Sequence, residues 1–125
     1  MSPVIDTNVF VDVLRRNSSA RECLLFHLES GPIQASEVTR IELLAGMRQD
    51  EETRIRQLFD MVTWVPVSEQ ISELAGELGR TWGIRNQGID LPDFVIAATA
   101  IHAQADLLTL NVKHFPMFKN LRPAY

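Results

Sequence analysis

Pro3-Val4-Ile5-Asp6-Thr7-Asn8-Val9-Phe10-Val11-Asp12-Val13-Leu14 sets a short apolar run, an acid and a segment of helical period in immediate succession. Val9, Phe10, Val13 and Leu14 fall on one helical face, and the run at 3–5 is short enough to be a buried strand. A strand that passes directly into a helix is the building unit of a parallel sheet, where ligands gather beyond the carboxyl ends of the strands. Asp6 stands at that address. Its ordinary role there, or that of Asn8, is to cap the helix.

Outward from this unit the same alternation continues. Further strands are expected at 33–35, 64–67 and 107–110, with a weak last one at 121–123. Between them Leu24, Leu25 and Leu28 share a helical face, Ile55, Leu58, Phe59 and Val62 follow i, i+3, i+4, i+7, and Ile71, Leu74, Ala75, Leu78 and Trp82 form the clearest helix. Ser18, Ser36, Asp50 and Ser68 are expected N-caps, while Gly83 and Asn86-Gln87-Gly88 interrupt the pattern before the last long helix. Strands separated by helices imply an α/β fold: a short parallel sheet of four to five strands with helices on both faces. The 125 residues, 46% of them hydrophobic, suffice for a single domain spanning 1–125.

A net charge of −4 argues against gripping nucleic acid by bulk positive charge, so a polyanionic substrate requires a metal or a local basic patch. The lone Cys23 excludes a disulfide framework or Cys-rich zinc site and suits a reducing compartment. There is no apolar run of about 18 residues, and Met1-Ser2-Pro3 lacks the start of a signal peptide, so a cytoplasmic protein without membrane attachment is expected.

Two further acids occupy positions comparable to Asp6. Within 36–48, Val38, Ile41, Leu44 and Ala45 define an apolar arc with Glu42 at its edge, either facing a cleft or pairing with a base such as Arg40. Phe94-Val95-Ile96-Ala97-Ala98-Thr99-Ala100-Ile101 is apolar all round and is expected to be a helix buried against the sheet, with Asp93 at its mouth. Asp90 can supply the N-cap, leaving Asp93 in the first turn where the helix dipole favours an anion. Acids crowded together raise one another's pKa unless a cation intervenes, which makes a metal site the economical interpretation. After 107–110 come Asn111, Lys113 and His114, of which Asn111 offers an amide oxygen and His114 has the ordinary placement of a turn or surface residue. His27 and His102 make no zinc spacing, and oxygen donors suit Mg²⁺ or Mn²⁺.

Over nearly its whole length the chain resembles the PIN-domain ribonucleases, and within them the small VapC-type toxins of toxin–antitoxin pairs. Val4-Ile5-Asp6-Thr7-Asn8-Val9-Phe10-Val11-Asp12 resembles the opening motif, with Asp6 at the first catalytic acid and Thr7 at the accompanying hydroxyl. Residues 36–46 resemble the second motif, with Glu42 at its acid, and residues 89–100 the third, with Asp93 at the acid before the buried helix. The fourth, Leu108-Thr109-Leu110-Asn111-Val112-Lys113-His114-Phe115, departs from the family pattern, since Asn111 and His114 stand where acids are otherwise found.

The resemblance implies a PIN-like three-layer α/β/α sandwich and endonucleolytic, Mg²⁺- or Mn²⁺-dependent RNA cleavage. In that scheme Asp6 and Asp93 bind the metal, Glu42 orients or deprotonates the attacking water, and Thr7 and Asn111 position ligands or phosphate. Arg15, Arg16, Arg21, Arg40, Arg48, Lys113 and Lys119 are available to steer the backbone. It further implies a homodimer held inactive by a cognate antitoxin, with Leu43, Leu44, Met47 and Phe59 either lining its groove or belonging to the core. A phospho-accepting receiver domain fails as a rival, because Trp64-Val65-Pro66-Val67-Ser68 has no aspartate after the third strand. A non-catalytic PIN-like binding or scaffold protein is the alternative that sequence leaves open.

Overall fold

The computed structural model describes residues 2–83 and 88–125; the break expected at Asn86-Gln87 lies outside the described residues. Strands β1 (Val4–Ile5), β2 (Ile33–Ser36), β3 (Val62–Val65) and β4 (Leu107–Leu108) form a parallel sheet in the order β3-β2-β1-β4. Helices α1 (Thr7–Leu14), α2 (Ser18–Ser30), α3 (Glu37–Ala45), α4 (Glu52–Phe59), α5 (Glu69–Trp82) and α6 (Leu91–Ala103) join them, with 3-10 turns at Gln49–Glu51 and Val112–His114. None of the described helices is long and apolar enough to cross a membrane.

The pleat explains the layers. Neighbouring residues of β1 face opposite ways, so Ile5 packs with Val9, Phe10, Leu24, Ile55 and Leu58, whereas Val4 packs with Ile96, Ala97, Ala100 and Phe115. Helices α1, α2 and α4 thus cover one face and α6 the other, with α5 packed outside α6 through Ile71, Ala75, Phe94 and Ala98. This is the three-layer α/β/α arrangement, and it follows from burying a parallel sheet on both sides. Ala97, Ala98 and Ala100 are completely buried, so the small side chains of α6 sit where larger ones would not fit. Within the run 94–101 that was expected to be buried, Ile101 is the exception, at 39% exposure.

Several boundaries differ from the sequence expectation. β3 begins at Val62, not Trp64, because α4 stops at Phe59 and the chain turns through Asp60 and Met61. Trp64 then locks strand to helix end, its ring meeting Phe59 edge-on at 5.1 Å and its Nε1–H donating to the Phe59 carbonyl at 3.1 Å. No strand forms at 121–123: Pro123 lacks the N–H a ladder needs, and the segment is held by the Ala124 amide on the Thr109 carbonyl at 2.9 Å. Ser36 and Ser68 cap α3 and α5 as expected, accepting from the amides of Val38 and Ile71 at 3.1 and 3.2 Å. Asn17, not Ser18, caps α2, and Asp50 lies inside the 3-10 turn, where Glu51 instead accepts the Arg48 amide at 2.8 Å. Leu25 leaves the expected apolar face and is 46% exposed.

Because Ala100 is enclosed by Val4, Ile96, Leu107 and Phe115, Ala100→Leu is expected to cost about 1–3 kcal/mol through overpacking. Urea denaturation checks this, and an unchanged midpoint would contradict the tight seating of α6.

Candidate active site at the strand ends

The register of β1 against β4 pairs Val4 with Leu107 and Ile5 with Leu108, which brings Asp6 beside Thr109. Asp6 occupies the N-cap position of α1, yet its side chain makes no capping bond; instead it accepts from Thr109 Oγ1 at 2.7 Å. The ordinary capping role is therefore not the one it plays. Only 3% of Asp6 is exposed, and burial pushes its carboxyl up to about 6. The Thr109 hydroxyl and the Thr7 amide oppose that rise, whereas the negative charges of Asp93 and Glu42 reinforce it. These last two influences put Asp6 within electrostatic reach of both Asp93 and Glu42.

Thr7, the first residue of α1, donates its hydroxyl to Glu42 Oε1 at 2.7 Å. Thr39 Oγ1 lies 3.0 Å from the same hydroxyl oxygen, and since the single Thr7 proton is committed to Glu42, Thr39 is the donor in that pair. The expected arc of α3 is corrected in part, since Val38 and Leu44 do pack against the core. Ile41 is 63% exposed and Ala45 is exposed as well, while the inward stripe consists of fully buried Thr39 and buried Leu43. Glu42 adjoins that stripe because Thr7 and Thr39 satisfy its oxygen and each other, so polar residues take the inner positions. Arg40 does not pair with Glu42; it bridges to Glu37 at 2.5 Å and lies over the Trp64 ring at 4.3 Å.

Asp93 closes a capping box, its Oδ2 accepting the Asp90 amide at 3.2 Å, and the same oxygen lies 3.2 Å from His114 Nδ1. Burial raises the Asp93 carboxyl above the usual carboxylate range, opposed by the Asp90 amide and by His114. Its capping role is thus real and coexists with its place beside Asp6. Asn111 enters through its backbone: its amide donates to Thr109 Oγ1 at 2.9 Å, and its side chain makes no hydrogen bond among the described residues.

Three participants escape a reading by residue type. Thr109 and Thr39 are completely buried hydroxyls that hold Asp6 and Thr7, and His114, in a turn and with its side chain 41% exposed as expected, also reaches Asp93. The strand expected at 107–110 ends at Leu108, which leaves Thr109 directly after a strand as Asp6 is.

No group of three His, Cys, Asp or Glu side chains among the described residues is drawn tightly enough to enclose an ion. The donor chemistry nevertheless fits a hard cation that keeps most of its waters: Mg²⁺ is commonly held by one or two carboxylates, and Asp6 and Asp93 are two such groups whose like charges oppose each other's ionisation.

The raised Asp6 carboxyl has a defined thermodynamic sign. Its folded pKa of about 6 lies above the ordinary value, so the stability contributed by the neutral form is complete below about pH 4 and is lost as pH rises through the folded value. That loss is on the order of 3 kcal/mol, and the upward shift of Asp93 acts in the same direction. Asn carries no such titration, so Asp6→Asn is expected to gain on the wild type between about pH 4 and 7. Urea unfolding in EDTA measures the gap, and parallel pH profiles would contradict it.

Comparisons with known proteins agree with this geometry. The family described as the PIN domain matches residues 4–117. The chain is 46% identical over 123 residues to ribonuclease VapC19 of Mycobacterium tuberculosis, covering 98% of each. It is 36% identical to ribonuclease VapC10 of the same organism, covering 98% of this chain and 92% of the relative. A toxin–antitoxin complex from Klebsiella pneumoniae contains a chain that superposes with a TM-score of 0.81 at 26% identity, over 99% of this chain and 98% of that one. A family match over residues 4–117 and 46% identity to a relative across nearly the whole chain show that this chain belongs to the PIN-domain family.

Proposed function

We propose that this chain is a Mg²⁺- or Mn²⁺-dependent endoribonuclease that hydrolyses RNA phosphodiester bonds as the toxin of a toxin–antitoxin pair. The observation that carries this reading is the 3%-exposed Asp6 carboxylate, held by Thr109 at a strand end and subject to the charges of Asp93 and Glu42, within a PIN-domain chain. The two relatives named ribonuclease VapC support RNA as the substrate.

Asp6 and Asp93 would hold the metal directly. When bound, the ion stabilises charge at the scissile phosphate and acidifies water. Thr109 keeps the Asp6 carboxylate from rotating, and the capping box does the same for Asp93. Thr7 occupies one lone pair of Glu42 Oε1, fixing the carboxylate that orients or deprotonates the attacking water. Asn111, anchored through its amide, offers its side chain to a ligand or phosphate. No covalent nucleophile is needed, and the lone Cys23, its thiol raised by burial, takes no part.

The partners follow from the same reading: an RNA substrate, a cognate antitoxin and a second copy of the chain in a homodimer, all in the cytoplasm. Of the apolar residues considered for the antitoxin groove, Leu43 and Met47 line a cleft of about 110 Å³ that Glu42 also borders. Phe59 is instead buried against Trp64, and Leu44 packs against the same core.

Asp6→Ala and Asp93→Ala are each expected to lower cleavage of an RNA pool at least about 100-fold, with circular dichroism showing that both variants remain folded. EDTA should abolish wild-type cleavage, and added Mg²⁺ or Mn²⁺ should restore it; full activity in either variant or in chelator would overturn the site. Light scattering at micromolar concentration is expected to give the mass of a dimer, and a monomer there would remove the homodimer from this account.

A further inference from the structure

The cleft bordered by Glu42 shares the wall residues Leu14, Arg15 and Glu51 with a second depression of about 280 Å³. Arg15, Arg16, Arg48 and Arg54 line it, together with Asp50 and Glu51. Local sequence accounts for the gathering. α1 ends at Leu14, Arg15 is its C-cap, and Arg16 turns the chain at φ 63, a left-handed conformation that Gly or Asn adopts more readily. Arg48 begins the 3-10 turn across the depression. Arg54, on α4, donates to the Leu14 carbonyl at 2.9 Å and so satisfies an end of α1 that its own helix leaves unbonded.

The charges in this depression are not neutralised internally. The Glu51 carboxylate is 6% exposed and committed to the Arg48 amide, and none of the four guanidinium groups has a salt bridge among the described residues. Arg15, Arg16 and Arg48 are exposed, and beyond its bond to Leu14 no partner occupies Arg54. In a chain of net charge −4, four arginines against the two acids Asp50 and Glu51 leave this depression with an excess of positive charge, a local field against the overall sign. An anion that neutralises them is the missing partner, and guanidinium forks match phosphate geometry.

We propose that Arg15, Arg16 and Arg48 form a phosphate subsite for the RNA strand, beyond the nucleotide whose phosphodiester lies at Asp6, Glu42 and Asp93. The proposal rests on the ribonuclease reading and deepens it. Glu42 and Arg15 border the same cleft, and Arg15 also borders the depression lined by Arg16 and Arg48, so a strand with one phosphate beside Glu42 has the guanidinium groups within reach of its next phosphates. Such contacts position the strand without selecting its bases. An extended polyanion is favoured over an acidic peptide because the acids at one end of the path would repel carboxylates, whereas a metal-dependent phosphodiesterase site there accepts phosphate.

The test compares the wild type with Arg15→Gln/Arg16→Gln/Arg48→Gln and with the matching triple Lys variant, leaving Arg54 in place because it bonds α1. Binding of a fluorescent 20-nucleotide single-stranded RNA is followed by anisotropy in EDTA, so it does not depend on cleavage. The Gln variant is expected to bind about 10- to 100-fold more weakly at 0.1 M salt, and its plot of log affinity against log salt should flatten by about 2. The Lys variant should recover most of the binding. In cleavage, KM should rise for the 20-mer with kcat within about twofold, and a trinucleotide should show no difference between proteins.

Equal RNA affinity and salt slope in wild type and Gln variant would overturn the subsite while leaving cleavage standing. Loss of poly-glutamate binding without loss of RNA binding would also overturn it, assigning the arginines to an acidic peptide instead. A wild type that binds RNA through the arginines but cuts none would refute the nuclease reading and leave an RNA-binding surface.

Discussion

The hydrogen bond from Thr109 to Asp6 joins the ends of two neighbouring strands across 103 positions of chain, and much of the molecule is arranged so that it can form. A carboxylate that is almost wholly out of water needs donors or a cation, or it takes up a proton. Here the donors are the Thr109 hydroxyl and the Thr7 amide, and both exist only when β4 lies beside β1 and α1 starts directly after it. Thr109 is in turn fixed from two sides, by the Asn111 amide on its hydroxyl and the Ala124 amide on its carbonyl. The register of β4 and the run of the last residues therefore bear directly on the geometry of an acid near the start of the chain.

The acids are each held by a different local device. Asp6 depends on a neighbouring strand, Glu42 on the first hydroxyl of α1, and Asp93 on its own helix terminus with His114 against it. Thr7 links the first two, its amide serving Asp6 and its hydroxyl Glu42, whereas the support of Asp93 shares no residue with either. The arrangement also separates roles: carboxylates face the chemistry, and threonine hydroxyls, which cannot ionise in this range, hold them in place.

Much of the architecture was legible in the chain because the alternation of apolar runs and helical stripes is strong. The strand positions, the buried α6, the two-sided sheet and the strand-end placement of Asp6 all follow from periodicity and turn chemistry. What was not legible depends on tertiary satisfaction of polar groups. Thr39 and Thr109 resemble surface hydroxyls until a partner appears, and within α3 Ile41 and Ala45 were expected inward in place of Thr39 because Ile41 outranks Thr39 on any hydrophobic scale. His114 is unremarkable in sequence, since only folding brings it to Asp93. The weak strand at 121–123 looked plausible from its leucine, but its proline removes the donor that a ladder requires.

The placement of β4 has a consequence for the order in which the protein becomes itself during synthesis. β1 leaves the ribosome first, yet one of its two edges has no neighbour until residues 107–108 are made. At ordinary elongation speeds the interval between Asp6 and Thr109 is roughly 5–20 s, during which an apolar strand edge and an unsupported acid wait for the last strand. A nascent chain in that interval has its acids in sequence but not in space. The site is thus complete only once Thr109 has been made, and products that stop before β4 lack the donor that positions Asp6.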